Sequence, residues 1–88
     1  MSRFTKDPDA TLDYKVDWSS WLIDDTITAS LWIVPPELNN EADTFTDSSA
    51  TIWLSGGSVG SSYEVVNRIT TAAGRIDDRT ITIRMKEK

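Results

Sequence analysis

The segment from Ile52 to Ile83 constrains the fold of this chain more than any other part. It contains three apolar runs with the composition of β-strands, separated first by the Gly/Ser-rich stretch Ser55–Ser61 and then by a turn from Ala72 to Asp78. Short strands punctuated by turn residues in this way are typical of antiparallel β-sandwiches. The segment predicts a scaffold and contains no obvious catalytic group.

The first half of the chain continues the β pattern. Residues 11–18 alternate between apolar and polar types, which predicts a half-buried strand, and residues 26–34 predict a second strand that ends at Pro35-Pro36. Between them, Ser19–Leu22 predicts one short helical turn. Residues 37–43 predict a loop, followed by a short strand around Phe45.

The chain has 88 residues, close to the roughly 100 residues of one sandwich domain. Residues 1–10 are polar and contain Asp7-Pro8-Asp9, which predicts a flexible N-terminal lead-in. We therefore expect one all-β domain over residues 11–88, with six or seven strands packed into a sandwich.

Two local patterns make this sandwich similar to immunoglobulin-like and fibronectin type III domains. Tyr63 opens the penultimate strand directly after a Gly-rich corner, where such domains place a tyrosine whose hydroxyl bonds nearby backbone. Trp32 precedes Pro35 by three residues, as does a core tryptophan of fibronectin type III domains. The fold predicted is an immunoglobulin-like or fibronectin type III-like β-sandwich.

Composition excludes several function classes. The formal net charge is −5, which argues against nucleic-acid binding because that role needs clustered basic residues. No stretch reaches the roughly 18 apolar residues that cross a bilayer, so no membrane partner is expected. The chain has no Cys, so packing alone must hold the two sheets together.

The sequence also predicts no enzyme, no cofactor and no metal site. It contains neither His nor Cys, the usual general base and nucleophile near neutral pH. The acidic pairs lack the alternating carboxylates of a calcium loop, and turn chemistry accounts for them. These pairs are Asp7/Asp9, Asp24/Asp25 and Asp77/Asp78.

The four tryptophans are the remaining candidates for function. Trp18 is in phase with the apolar face of its strand and Trp32 is expected in the core, if a bulge or a reversed face brings it inside. Trp53 stands between Ile52 and Leu54, which are better core residues, so Trp53 is expected to be exposed. Trp21 lies in a connection and can cap the core or face a partner. Trp53 and Trp21 are the candidate interface residues.

One pattern runs from Lys6 to Arg84, and its most specific parts are Trp53-Leu54-Ser55-Gly56-Gly57 and Asn67-Arg68-Ile69-Thr70-Thr71. This pattern resembles a family of small proteins of tailed phages and prophages, the phage fiber-tail adaptor proteins. The resemblance implies an immunoglobulin-like virion component that joins a receptor-binding fibre to the tail or neck. Its partners would be phage tail or fibre proteins.

This resemblance implies location in the phage tail of the virion, with the bacterial cytoplasm as the location before assembly and an oligomeric state on assembly. Three alternatives stay open. The chain could be a head–tail joining protein, a capsid-associated protein, or an immunoglobulin-like module that binds cell-surface glycan through Trp53 or Trp21.

Overall fold

The computed structural model describes residues 2–86 and consists almost entirely of strands. One helix, α1 (Ser19–Leu22), lies between the second and third strands, and no helix of residues 2–86 is long and apolar enough to cross a membrane. The strands in chain order are β1 (Ser2–Lys6), β2 (Leu12–Asp17), β3 (Ile27–Ile33), β4 (Leu38–Phe45), β5 (Ser49–Gly56), β6 (Ser62–Thr71) and β7 (Ile76–Met85).

The strands form two sheets that pack face to face. The four-stranded sheet has the order β1-β7-β6-β3 and the three-stranded sheet has the order β2-β5-β4. Each pair of neighbouring strands is antiparallel except β1 and β7, which are parallel. The seven strands in two sheets confirm the predicted all-β sandwich.

The core lies between the sheets and is built from alternate residues of the strands. On β5, Ile52 and Leu54 are fully buried, while on β7 the same holds for Ile83. This period-2 burial is what a strand with one face on the core requires. Seven residues of the segment from Ile52 to Ile83 lie in the core: Ile52, Leu54, Tyr63, Val65, Ile69, Ile81 and Ile83.

The predicted tyrosine corner is present between β5 and β6. The backbone N–H of Ser58 donates a hydrogen bond of 3.0 Å to the Tyr63 hydroxyl oxygen. The chain reaches this position through Gly56 and Gly57, whose φ angles of 85° and 99° lie in the left-handed region that favours glycine. The bond satisfies a loop N–H and fixes the path of the chain between the two sheets.

The N-terminal segment differs from the predicted flexible lead-in. Residues 2–6 form β1, which pairs with Ile81–Met85 of β7. Lys6 is fully buried, and its ammonium donates to the carbonyl oxygens of Asp7 and Gly56, both at 2.9 Å. Burial lowers the pKa of Lys6, although nearby Asp7 and Asp9 oppose this effect. This strand was not predicted because its sequence is mostly polar and includes a buried lysine.

A second correction concerns residues 37–43, which we predicted as a loop. The structure extends a strand, β4, over Leu38–Phe45, and only Leu38 of that strand is buried. Strand β4 forms an edge of its sheet and is held by backbone pairing to β5. Its sequence therefore lacks the apolar alternation by which strands are usually recognised.

Candidate interaction surfaces

The acidic pairs do not form a metal-binding cluster within the described part of the chain. Among residues 2–86, no cluster of three or more His, Cys, Asp or Glu side chains is arranged to hold a metal ion. Asp25 instead pairs with Arg75 at 3.0 Å, and Asp78 pairs with Arg68 at 2.8 Å. Several apolar side chains are exposed, and some of them form two separate surfaces, one around Trp53 and one at Leu31 and Ile33.

The first surface surrounds Trp53, on the outer face of the three-stranded sheet. Because Ile52 and Leu54 point into the core, Trp53 must point outward, and 36% of it is exposed. Strand β5 is central in this sheet, so Trp53 lies between Asp13 of β2 and Ala42 of β4. We call Trp53 with these two neighbours the Trp53 surface.

The polar side chains next to Trp53 are held in place by hydrogen bonding. Ser55, two residues further along β5, donates its hydroxyl to the carboxylate of Glu41. Glu41 sits where the register of β4 shifts between Asn40 and Ala42, which is the position of a β-bulge. An aromatic ring beside a fixed hydroxyl–carboxylate pair provides both apolar contact and directional polar contact.

Trp21 occupies a different place and is tied to the domain itself. Its ring is half-buried, packs edge-on against Trp18 with centroids 5.4 Å apart, and lies 4.1 Å from the guanidinium of Arg75. It follows the end of β2, whereas Trp53 pairs with Asp13 near the start of that strand. The structure therefore does not bring the two candidate tryptophans together, and Trp21 caps the core edge.

The second surface was not predicted from the sequence, and a β-bulge explains why. Strand β3 pairs Ile27 with Thr71 but Ala29 with Thr70, so Thr28 is an extra residue. Beyond this bulge the alternation reverses: Trp32 is buried, as expected for a core residue, while its neighbours face outward. Those neighbours are Leu31, which is 55% exposed, and Ile33, which is 44% exposed.

These residues form an apolar patch at a free sheet edge. Ile33 pairs with half-buried Val66 of β6 on the outer face of the four-stranded sheet, and Leu31 lies two residues away on the same side. We call Leu31, Ile33 and Val66 the β3 patch. Strand β3 is an edge strand and contains no charged residue, whereas the edge strands β1, β2 and β4 all do. An uncharged apolar edge is the kind that accepts another strand.

Comparison with known proteins identifies the family. Residues 6–84 match the model described as podophage GP4 fiber-tail adaptor protein gp77. The chain belongs to this fiber-tail adaptor family. The matched range includes Trp21, Trp53 and the whole β3 patch, so both surfaces lie within the part of the chain that family members share.

Other comparisons bear on the fold alone. The solution structure of the PKD domain from KIAA 1837 protein is similar to this adaptor-family chain, with a TM-score of 0.60 and 19% sequence identity, covering 99% of this chain and 80% of that one. This similarity to an immunoglobulin-like domain confirms the predicted fold. A search of curated proteins found no significant match.

Proposed function

We propose that this chain is a non-enzymatic structural protein of a phage or prophage virion, and that it joins a tail fibre to the tail or neck. The observation that carries the proposal is the match of residues 6–84 to the fiber-tail adaptor family. Membership of that family supports phage tail or fibre proteins as the partners. It also supports the virion as the final location, reached from the bacterial cytoplasm where the particle assembles.

The placement of the two surfaces suits a bridging role. The Trp53 surface lies on the outer face of one sheet and the β3 patch on the outer face of the other, so they face opposite sides of the sandwich. A connector must contact two different proteins at once, and a rigid sandwich holds two such contacts in fixed orientation. We propose that one surface contacts the fibre and the other contacts the tail or neck.

Several copies on one particle would strengthen a weak individual contact. Exposed single aromatic or aliphatic residues on a domain of this size give modest affinity. Copies held side by side on a tail raise the effective concentration of the second contact and so the strength of the whole attachment. We therefore propose that the chain is oligomeric when assembled.

The test is capture by the natural partners. The purified chain is immobilised and exposed in turn to the tail-fibre protein of the same phage or prophage and to assembled tails. The Trp53→Ala variant is expected to lose one partner and the Ile33→Lys variant the other, while Val59→Lys, an exposed loop position, should keep both. If the wild-type chain captures neither partner, the adaptor proposal is wrong; capture of portal or capsid protein instead would indicate a head–tail joining or capsid-associated role.

A glycan-binding role is a second candidate, favoured by one observation. The exposed Trp53 ring lies near the fixed Ser55–Glu41 pair, and stacking on an aromatic ring combined with hydrogen bonding to hydroxyls is a common way to hold a sugar. Titration with host cell-surface polysaccharide should then change tryptophan fluorescence in the wild type and not in Trp53→Phe. No change in the wild type would exclude this role at Trp53.

A further inference from the structure

The arginines of the described residues fall into two groups. Three have partners within the domain: Arg68 makes two hydrogen bonds to Asp78, Arg75 binds Asp25 and the carbonyl of Leu22, and Arg79 donates to the carbonyl of Asp17 and lies over the Trp18 ring. Arg3 and Arg84 are exposed, and within residues 2–86 neither guanidinium has a carboxylate at ion-pair distance.

These two arginines lie together on the outer face of the four-stranded sheet. Arg3 of β1 pairs with Thr82 of β7, and Arg84 of β7 lies between Thr5 of β1 and Ser62 of β6. Ile83 and Met85 point into the core, so Arg84 must point out. The two guanidinium groups and three hydroxyl-bearing residues, with Phe4, line a depression of about 530 Å³.

Other charged side chains of residues 2–86 lie near these two arginines. Lys86 follows β7, is exposed, and its backbone N–H is bonded to the Lys6 carbonyl at 2.9 Å, which holds it beside β1. Glu64 of β6 pairs with Thr82 and so lies in the same row as Arg3. Among residues 2–86, the three positive side chains outnumber Glu64 and Asp7, which follows Lys6, so this area is basic on a chain whose formal net charge is −5.

Strand β1 adds a free edge to this basic area. It is the terminal strand of its sheet, so the side away from β7 has no strand neighbour among residues 2–86. An extended peptide can bind such an edge through backbone hydrogen bonds. Its alternate side chains would then lie beside Arg3 and Thr5, which are two residues apart and so about 7 Å apart along the strand.

We propose that this surface binds an extended acidic segment of a partner protein. By this surface we mean Arg3, Arg84 and Lys86 with the hydroxyl of Thr5. The fork of a guanidinium matches a carboxylate in two parallel hydrogen bonds, and the Thr5 hydroxyl can donate to a carboxylate oxygen left over. Aspartate or glutamate at every second position of a segment paired with β1 would lie next to Arg3, and the long side chain of Arg84 would reach it across Thr5, its partner on β1.

A peptide suits this surface better than a nucleic acid does. Strand pairing along β1 needs backbone N–H and C=O groups on the ligand, which a nucleic acid lacks. Glu64 would also repel a continuous phosphate backbone, whereas alternating side chains of a strand can avoid it. The inference rests on the proposed adaptor function only for the source of the segment, which would be the fibre or tail protein.

The test uses a synthetic twelve-residue peptide of alternating Asp and Thr, with an Asn/Thr peptide of the same length as the neutral control. Amide chemical shifts of the isotope-labelled full chain are followed during titration at low salt. We expect changes confined to β1 and to the residues around Arg84 and Lys86, a weakening with added salt, and little response to the neutral peptide.

Two variants distinguish binding at this surface from nonspecific attraction between the acidic peptide and the cations of the chain. The double variant Arg3→Gln/Arg84→Gln should bind the acidic peptide about tenfold more weakly, because two exposed charge pairs are lost. Lys15→Gln removes an exposed cation from the other sheet and should bind as the wild type does. Unchanged amide dispersion in each variant shows that the fold is intact.

Three outcomes would overturn the proposal: equal binding of both peptides, equal loss in Lys15→Gln, or tighter binding of a single-stranded oligonucleotide at the same amides. If the acidic peptide fails but the chain still captures fibre or tail, this inference is wrong and the adaptor function stands. If the peptide binds here but neither partner is captured, the acidic-segment site stands and the adaptor function is wrong.

Discussion

The indole N–H of Trp18 donates a hydrogen bond of 2.9 Å to the side-chain oxygen of Asn67, and this bond joins the two sheets inside the core. Trp18 follows β2 of the three-stranded sheet, and Asn67 is central on β6 of the four-stranded sheet. The amide nitrogen of Asn67 donates in turn to the Ser30 hydroxyl at 2.9 Å and to the Leu31 carbonyl at 3.3 Å. Both Trp18 and Asn67 are fully buried.

The Asn67→Ala variant should lower the free energy of unfolding substantially. It leaves the Trp18 indole N–H buried without an acceptor, which costs about 1–3 kcal/mol, and it removes side-chain volume from a packed core. Chemical denaturation measures the change. Asn40→Ala, at an exposed position paired with Asp43, is the matched control and should shift the unfolding free energy by less than about 0.5 kcal/mol. Similar losses in both variants would contradict the role of the buried bond.

The sequence predicted this sandwich well where burial follows simple alternation. The core residues of β5, β6 and β7 are all buried as expected, because each strand keeps one face on the core along its length. Asn67 lies on the buried face of β6, where a polar side chain requires a hydrogen-bond partner. Its partner Trp18 could not be named from the sequence, because the two are far apart in the chain and meet only after the sheets pack.

The parts that could not be predicted depend on three-dimensional pairing. A core position for Trp32 required a bulge or a reversed face in this strand, but nothing in the composition of β3 places that bulge at Thr28, where it exposes Leu31 and Ile33. Strands β1 and β4 lie at sheet edges and are held by backbone hydrogen bonds, so their sequences do not show the regular alternation of apolar and polar residues by which strands are recognised. Trp53 is exposed as expected, but its neighbours Asp13 and Ala42 follow only from the register of three strands.

Two glycines provide a matched pair for testing the packing of the corner. Gly57 and Gly60 both have positive φ, so alanine at either position should cost about 1 kcal/mol in backbone strain. At Gly57 an added Cβ would also lie 2.5 Å from the Met85 Cε, whereas at Gly60 it would meet no atom within 4 Å.

Gly57→Ala should therefore destabilise the domain more than Gly60→Ala, by about a further 1–3 kcal/mol from overpacking. Denaturant midpoints measured at equal slope give the comparison. Equal destabilisation in the two variants would mean that the Met85 side chain moves aside without cost.

The carboxylate of Asp25 should contribute to the acid sensitivity of the fold. A hydrogen bond from the Thr71 hydroxyl is the main cause that lowers the pKa of Asp25 from 3.8 to about 2, and the Thr26 and Ala73 backbone N–H groups and Arg75 add to it. A lowered pKa means that the ionised form favours folding. Its contribution is complete above pH 3.8 and is lost as the pH falls towards 2.

Melting temperatures at pH 5 and pH 2.5 test this linkage. The decrease in melting temperature from pH 5 to pH 2.5 should be smaller in Asp25→Asn than in the wild type. The asparagine side chain is uncharged at both pH values, so acidification removes no stabilising charge from it. Asp24→Asn removes the same charge from an exposed position and should keep the wild-type drop. An unchanged drop in Asp25→Asn would show that Asp25 has the same pKa in the folded and unfolded states.

Trp53 should dominate the quenching of fluorescence by acrylamide. Trp18 and Trp32 are buried, Trp21 is partly covered by Arg75, and Trp53 is 36% exposed. Trp53→Phe should therefore remove most of the quenchable emission, whereas Trp32→Phe should leave the quenched fraction nearly unchanged. Strong quenching that persists in Trp53→Phe would show that Trp21 is open to solvent.

The β3 edge should make the isolated chain associate with itself at high concentration. Beyond the bulge at Thr28, residues 29–33 of this strand include exposed Leu31 and Ile33 and carry no charge that would block pairing with the same segment of another copy. The Ile33→Lys variant places a charge on this edge and should remain monomeric, with its unfolding free energy within about 0.5 kcal/mol of the wild type because the position is exposed. Sedimentation velocity over a range of concentrations measures the association.

Val59→Lys adds the same charge at a loop position that is 58% exposed and should leave the association as in the wild type. A wild-type chain that stays monomeric throughout, or an equal effect of both lysines, would contradict pairing through β3.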